Sequence, residues 1–178
     1  MYRKLKNCEL SRLTKEEFKL TKKTPIVLVL DNVRSQHNIG AAFRTADAFS
    51  LEKIVLCGIC ATPPSPEIHK SALGAEESVD WIYNEDCLNA VFQLKEQGYT
   101  IVSVEQTENS TMLNSVKTEE SGKYALVFGN EVNGVRQEVV DISDSVVEIP
   151  QFGTKHSLNV SVSIGIVIWE FVKNIKSL

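Results

Sequence analysis

The 178-residue chain has few residues of the types that mark special classes of protein, with four Cys, five Pro and nine Gly. So few cysteines exclude a disulfide framework, and so little proline and glycine excludes collagen-like and low-complexity chains. It shows neither a charged-then-apolar leader nor an uncharged run of about 18 residues, so we expect a cytoplasmic protein without a membrane segment. The three His are not spaced as a ligand pair, and we expect no bound metal.

The remaining composition, 43% apolar and 24% charged, is that of one ordinary globular domain. A chain of this length buries roughly 70% of the surface that it exposes when unfolded. It can therefore form a sizeable core without a metal or a disulfide.

Charge is distributed unevenly along the chain. The net charge is −4, yet residues 1–25 carry eight basic and three acidic side chains, so the remainder is strongly acidic. Because lysine and arginine that neutralise phosphates supply much of the affinity for nucleic acid, a basic N-terminal extension over residues 1–24 suits such a contact. The alternative is a solvated helix whose lysines only keep it soluble. The candidate contacts are Arg3, Lys4, Lys6, Arg12 and, in a later loop, Arg34.

Short β-branched apolar runs alternate with helix-like segments. The predicted buried strands are 26–30, 53–57, 100–104, 124–128 and 145–149, with a weaker candidate at 79–83. The predicted helices cover about 39–50, 86–97, 134–142 and 158–174. Asn38 is the expected N-cap of the first helix, Gly98 the stop of the second, and 61–66 a rigid proline-rich loop. This alternation predicts an α/β fold, a mostly parallel sheet with helices on both faces, whose ligands bind beyond the C-terminal ends of the strands.

The loop after the first predicted strand turns from polar to small residues, ending Asn38-Ile-Gly-Ala-Ala-Phe-Arg44. Arg44 lies one turn into a helix, where its planar guanidinium suits a phosphate or a carboxylate. The alternative is a surface ion pair with Asp47 at i,i+3 spacing.

In the loop that follows residue 128, Gly129 and Gly134 bracket Glu131. A phosphate-binding loop needs Lys and Ser/Thr after its second glycine, and the dinucleotide fingerprint needs glycine where Glu131 stands. Nucleoside triphosphate and NAD sites are therefore disfavoured. The carboxylate of Glu131 is compatible with a cationic or hydroxylated ligand. The alternative interpretation of this loop is an ordinary strand-to-helix turn that contains glycine for backbone reasons.

The third unusual loop runs from Ile149 to Asn159 and leads into a nearly all-apolar helix, as expected of a helix in a core or a dimer interface. Ser157 and Asn159 precede or begin this helix, and burying their polar side chains without hydrogen bonds would cost free energy. A role as the N-cap is sufficient to explain Ser157. Cys57 and Cys60 have redox-motif spacing, but we interpret them as an ordinary strand end.

Together, segments 38–46, 128–134 and 149–161 resemble the three motifs of the SpoU (TrmH-like) RNA ribose methyltransferases of the SPOUT class. Their order and spacing also fit. The resemblance covers about residues 25 to 172, includes Lys70-Ser-Ala-Leu-Gly-Ala75, and identifies 25–178 as a SpoU-type methyltransferase domain.

The resemblance implies a deep C-terminal trefoil knot and the cofactor S-adenosyl-L-methionine, with no metal. Main-chain groups in the knot would hold the cofactor, here around Phe128, Gly129, Ile149, Gln151 and Leu158. Arg44 matches the family's catalytic arginine, and the residues that complete the site are Asn38, Glu131, Ser157 and Asn159. Because a guanidinium resists deprotonation, we expect Arg44 to orient a phosphate and stabilise the developing oxyanion rather than act as a base.

The resemblance also implies a homodimer whose two subunits build each site together. By analogy with members of that family, a compact domain with short extensions favours tRNA as the substrate. The alternatives are the same ribose 2′-O-methylation on rRNA, a non-catalytic RNA-binding module on the same fold, and a small-molecule enzyme of ordinary doubly wound type.

Overall fold

The structure is a computed structural model that describes residues 2–119 and 121–178. Strands and helices alternate along most of the chain. The strands are β1 (Thr24–Asp31), β2 (Leu51–Cys57), β3 (Trp81–Asn84), β4 (Thr100–Val104), β5 (Thr111–Met112), β6 (Tyr124–Phe128) and β7 (Ser145–Glu148). The helices are α1 (Lys15–Leu20), α2 (Gln36–Ala48), α3 (Pro66–Ala72), α4 (Ala75–Ser78), α5 (Cys87–Glu96), α6 (Gln137–Ile142) and α7 (Val160–Ile175).

The strands form one seven-stranded sheet in the order β3-β2-β1-β6-β4-β7-β5. Each neighbouring pair is parallel, which confirms the predicted α/β fold with a mostly parallel sheet. β1 and β6 are central neighbours whose C-terminal residues, Leu30 and Phe128, pair directly. The loops that leave these two strands therefore begin side by side.

Alternate residues of β1 face two separate cores. Leu28 and Leu30 pack in the core that also holds Phe43 of α2 and Ile164 of α7. Val27 and Val29 pack in the second core, against α5 and α6. Because both faces are covered, the strand is apolar from Pro25 to Leu30, which is why this part of the sequence is a continuous hydrophobic run.

The predicted strands all form, and the weaker candidate at 79–83 corresponds to β3, two residues later. β5 was missed because two exposed residues carry no hydrophobic signal. The short helices α3 and α4 were also missed, whereas α1 matches the helix of the alternative interpretation of residues 1–24. The predicted proline-rich loop at 61–66 ends at residue 65, since Pro66 is the first residue of α3. The path of the chain through the C-terminal loops is not defined by strand order, so the trefoil knot stays a prediction.

Two predicted helix caps were wrong. Ser35, not Asn38, caps α2, and its hydroxyl accepts a hydrogen bond from the Asn38 backbone N–H at 3.3 Å. Asn159, not Ser157, caps α7, and its side chain accepts from the Ser161 backbone N–H. The helices begin two or three residues away from the positions that apolar periodicity indicated. Gly98, with φ +83°, follows the end of α5 as predicted.

The basic extension ends in a helix that docks on the domain. Thr14 and Glu17 form a capping box at the start of α1, and Phe18 is buried in the core. Lys15 contacts the carboxylate of Glu77 on α4. No helix in the described part of the chain is long and apolar enough to cross a membrane.

Candidate functional site

A cavity of about 720 Å³ lies beyond the C-terminal ends of β4, β6 and β7, next to the start of α7. This is the edge of a parallel sheet where ligands are expected. The predicted site residues that line it are Phe128, Gly129, Glu131, Ile149, Gln151, Ser157, Leu158 and Asn159. The second and third unusual loops of the sequence therefore meet at one place.

Glu131 joins the second unusual loop to the first, the loop that follows β1. Its carboxylate accepts hydrogen bonds from the backbone N–H groups of Arg34 at 2.9 Å and Ser35 at 3.0 Å, and from the Asn38 amide at 3.0 Å. Partial removal from water raises the pKa of Glu131, but these hydrogen bonds outweigh that effect and hold it below its ordinary value. Glu131 is thus a fixed, ionised acceptor and a poor general base.

Asn38 extends this connection to the third loop. The side-chain amide of Asn159 donates to Oδ1 of Asn38 at 3.3 Å, while Asn38 itself donates to Glu131. Three residues predicted from separate motifs are therefore linked in the order Glu131, Asn38, Asn159. We call this series the motif triad.

The loop that carries Glu131 is shaped by close backbone approach. A Cβ added to Gly129 would lie 2.0 Å from the carbonyl carbon of Gly134, so only glycine fits there. Asn130 and Gly134 exchange two backbone hydrogen bonds, and the Asn130 side chain donates to the carbonyl oxygen of Asn32 at 2.7 Å. The glycines predicted from the sequence are needed for this turn and not for binding phosphate.

Sequence reasoning missed an ion pair beneath this loop. The carboxylate of Asp31, fully buried at the end of β1, accepts from the Arg136 backbone N–H at 3.1 Å and from Arg136 Nε at 3.3 Å. Burial lowers the pKa of Arg136, but its hydrogen bond to Asp86 and the charge of Asp31 outweigh this effect and raise it overall. An acid at the end of an otherwise apolar strand was the available signal.

Glu105, at the end of β4, was also missed. Its carboxylate accepts from the Val135 backbone N–H at 3.0 Å, and the neighbouring Gln106 donates to the carbonyl oxygen of His156 at 3.0 Å. These bonds connect β4 to the second and third loops. Its signal in the sequence was again an acid directly after a buried strand.

The cavity is acidic. Its described lining includes three carboxylates and neither Lys nor Arg. The carboxylates are Glu105, Glu131 and Glu148. Such a lining attracts a cation and repels phosphate, as expected from the poor match of this loop to the known phosphate-binding patterns.

Arg44 is not brought to this cavity. It lies exposed on α2, does not line the cavity, and has no hydrogen bond or ion pair within residues 2–119 and 121–178. The alternative of a surface pair with Asp47 is therefore wrong. Its guanidinium is free to contact another molecule.

The candidate RNA contacts lie at the surface. Arg3 pairs with Glu9 at 2.8 Å, and Lys4, Lys6 and Arg12 are exposed. The side chain of Arg34 is exposed. It lies beside the motif triad, because the Arg34 backbone N–H donates to Glu131.

Away from the cavity, one cluster has the spacing of a metal site. Its potential ligand atoms lie within 4.8 Å of one another and belong to His69, Glu76 and Glu77. Lys15 contacts Glu77 and already supplies positive charge there.

Comparison with known proteins gives consistent matches. The sequence profile of the SpoU rRNA Methylase family matches residues 25–169. The 23S rRNA (guanosine-2′-O-)-methyltransferase RlmB of Neisseria meningitidis is 34% identical over 146 residues, which are 82% of this chain and 57% of that protein. RlmB of Escherichia coli K12 is 34% identical over 149 residues, 84% of this chain and 60% of that protein. The chain thus spans less than two thirds of the length of these relatives.

Solved structures share the fold. The TrmH/SpoU tRNA modifying enzyme of A. aeolicus superposes with a TM-score of 0.81 at 26% identity, covering 92% of this chain and 83% of that one. An AdoMet-bound rRNA methyltransferase from Sinorhizobium meliloti superposes with a TM-score of 0.77 at 24% identity, covering 88% of this chain and 59% of that one.

Proposed function

The chain belongs to the SpoU rRNA methylase family, and from this premise we propose that it transfers a methyl group from S-adenosyl-L-methionine to a ribose 2′-hydroxyl of RNA. The observation that carries the proposal is the motif triad, which links one residue from each family motif beside a single cavity.

The cavity suits the proposed cofactor. Its volume of about 720 Å³ lies within the range of small-molecule sites, and its three carboxylates suit a positively charged sulfonium. Residues around Phe128, Gly129, Ile149, Gln151 and Leu158 would hold the cofactor, in part through backbone groups. When bound, S-adenosyl-L-methionine supplies an electrophilic methyl group. This chemistry requires no metal.

The residues of the chain then have distinct roles. In the transfer, a C–O bond would form between the methyl carbon and the 2′-oxygen as the S–CH₃ bond breaks. The hydroxyl proton would pass to solvent water, and S-adenosylhomocysteine would be the second product. We assign the amides of Asn38 and Asn159, fixed by Glu131, to positioning the ribose, together with the hydroxyl of Ser157. Arg44 would orient a neighbouring phosphate and stabilise charge that develops on the 2′-oxygen.

A homodimer is part of the proposal. Arg44 does not reach the cavity of its own subunit, so a second copy would bring its Arg44 there. An exposed apolar stripe along α7 supports such a contact. It consists of Val162, Ile166 and Trp169 on the helix and Leu158 just before it. The deep trefoil knot, which would shape the loops of this interface, belongs to the same proposal.

Ribosomal RNA is the favoured substrate. The compact domain favoured tRNA, but relatives that are 34% identical are named for 23S rRNA. The A. aeolicus tRNA modifying enzyme is 26% identical. These relatives therefore support the alternative, rRNA, better than the first expectation. Residues 1–24 would form the extension that contacts RNA, with a methyltransferase domain over 25–178.

Methylation of unmodified 23S rRNA and tRNA transcripts with labelled S-adenosyl-L-methionine tests the proposal. We expect ribose label in rRNA, and a loss of at least about 100-fold for Arg44→Ala. Since Arg44 is exposed and unbonded within the described chain, its removal should change the free energy of unfolding by no more than about 0.5 kcal/mol. Failure to bind S-adenosyl-L-methionine, or label on a base, would refute the proposal.

A further inference from the structure

A second cavity lies at the opposite end of the sheet from the candidate site. It also has a volume of about 720 Å³, and it is found where β1 and β6 begin and α7 ends. Four lysines line it, namely Lys22, Lys23, Lys123 and Lys176. We call it the basal lysine cavity. Since α7 has 16 residues and is about 24 Å long, the two cavities are separated by roughly that distance.

None of these four lysines forms an ion pair with a carboxylate within residues 2–119 and 121–178. Lys23 donates to the carbonyl oxygen of Phe18 and lies over its ring, 3.2 Å from the centroid. Lys123 likewise lies over the ring of Tyr99, 5.4 Å from the centroid. Elsewhere on the surface, Lys95 and Lys173 each contact a carboxylate at 2.7 Å. Among the described residues, the basal lysine cavity is thus a concentration of positive charge with no direct ion pair.

This charge stands out against the rest of the molecule. Beyond residue 25 the chain is strongly acidic, and the cavity proposed for the cofactor carries three carboxylates. An RNA substrate would be repelled there, so its affinity has to come from basic surfaces elsewhere. Lys22 and Lys23 end the basic extension, which makes the basal lysine cavity continuous with the surface already proposed to contact RNA.

We propose that the basal lysine cavity binds backbone phosphates of the substrate RNA at a distance from the methylated nucleotide. Lysine ammonium groups act as point charges for phosphate and need no particular base. The hydroxyl of Ser121 adds a neutral donor at the rim. A polymer with phosphates repeated along its length can occupy both ends of the sheet, whereas a free phosphate ion cannot. The inference rests on the proposed function.

The test compares two matched double variants of the full chain. Lys123→Gln/Lys176→Gln removes charge from the cavity, and Lys95→Gln/Lys173→Gln removes equal charge from ion-paired positions. Binding of a fluorescent 23S rRNA fragment is measured by anisotropy from low to high salt. For the cavity variant, we expect the slope of log K against log salt to fall by about 1.4 to 1.8, from 0.7 to 0.9 per lost phosphate contact. The control should keep the wild-type slope.

A second readout identifies the source of the phosphate. Lysine acetylation, mapped by mass spectrometry, is measured with the rRNA fragment or with inorganic phosphate present. Protection of Lys123 and Lys176 by RNA alone supports the proposal, and protection by inorganic phosphate alone overturns it. Equal salt slopes for the two double variants would also overturn it.

The kinetics separate this inference from the proposed function. If the inference is correct, the cavity variant has a higher KM for RNA, while kcat at saturating RNA is unchanged. If wild type and both variants methylate RNA with the same KM, only the inference fails. If wild type neither binds nor methylates either RNA, the proposed function fails, and the inference fails with it.

Discussion

The side-chain amide of Asn38 donates a hydrogen bond of 3.0 Å to Glu131, which lies 93 positions away in the sequence. Because Glu131 also accepts from the backbone of Arg34 and Ser35, one carboxylate fixes the start of α2 against the loop after β6. Asn159 then adds the start of α7 through Asn38. The site is therefore held by side chains that act on three loops at once.

Glu131→Gln tests the need for an ionised acceptor. An amide offers one oxygen where the carboxylate offers two, so the variant should bind S-adenosyl-L-methionine more weakly and lose most methylation. The folded-state pKa of Glu131 lies below its ordinary value of 4.5. Its contribution to stability is therefore present above about pH 4.5 and is lost as the pH falls through the lower, folded-state pKa.

Urea unfolding of wild type and Glu131→Gln from pH 7 to pH 3 measures this contribution. The difference in unfolding free energy should be constant down to about pH 4.5 and shrink below it. A difference that already disappears near neutral pH would contradict the assignment.

Arg136→Gln should destabilise the protein strongly. It leaves the fully buried carboxylate of Asp31 without its cationic partner, and breaking a buried pair costs about 3–5 kcal/mol. Because Arg136 is itself about one third exposed, we expect about 3 kcal/mol by urea unfolding. Glu138→Gln is the control, since it removes an exposed partner of Arg136 and should cost less than about 1 kcal/mol. Equal effects of the two substitutions would show that Asp31 does not depend on Arg136.

Gly129→Ala tests the close approach of the backbone in the second loop. The added methyl would lie 2.0 Å from the Gly134 carbonyl carbon, so the loop must shift, at a cost of about 1–3 kcal/mol. Cofactor binding, measured by calorimetry, should weaken with it. At Gly153 an added Cβ has open space, and Gly153→Ala should leave stability within about 0.5 kcal/mol of wild type. A Gly129→Ala protein of unchanged stability would argue against the observed turn.

One cysteine of four should react with a thiol reagent in the native state. Cys8 is exposed, whereas Cys57, Cys60 and Cys87 are buried. Burial also raises the pKa of the Cys60 thiol to about 12, so this thiol is neutral at physiological pH. Titration with Ellman's reagent should release one equivalent natively and four after unfolding. Rapid reaction of two or more native thiols would revive the redox interpretation of Cys57 and Cys60.

The sequence predicted those features that depend on neighbours along the chain. β1 was found because each of its apolar residues faces a helix layer, and Gly98 because the end of a helix needs a positive φ. The acid at the end of β1 is visible in the sequence, but its pairing with Arg136, 105 positions away, has no local pattern and could not be predicted. Asn38 was misread as a cap for the same reason, since its side chain is committed to Glu131.

The position of Arg44 leads to the last prediction. Arg44 lies away from its own cavity, while Ile166 is exposed on the apolar stripe of α7. If a second copy covers that stripe and supplies Arg44, Ile166→Glu places a charge in the interface, where burial is unfavourable. Light scattering should then show a folded monomer, and methylation should be lost although S-adenosyl-L-methionine binding is largely retained. Phe92→Glu, at an exposed apolar position on α5, should leave both mass and activity unchanged. A fully active Ile166→Glu monomer would mean that each subunit completes its own site, and would overturn the proposal that a second copy supplies Arg44.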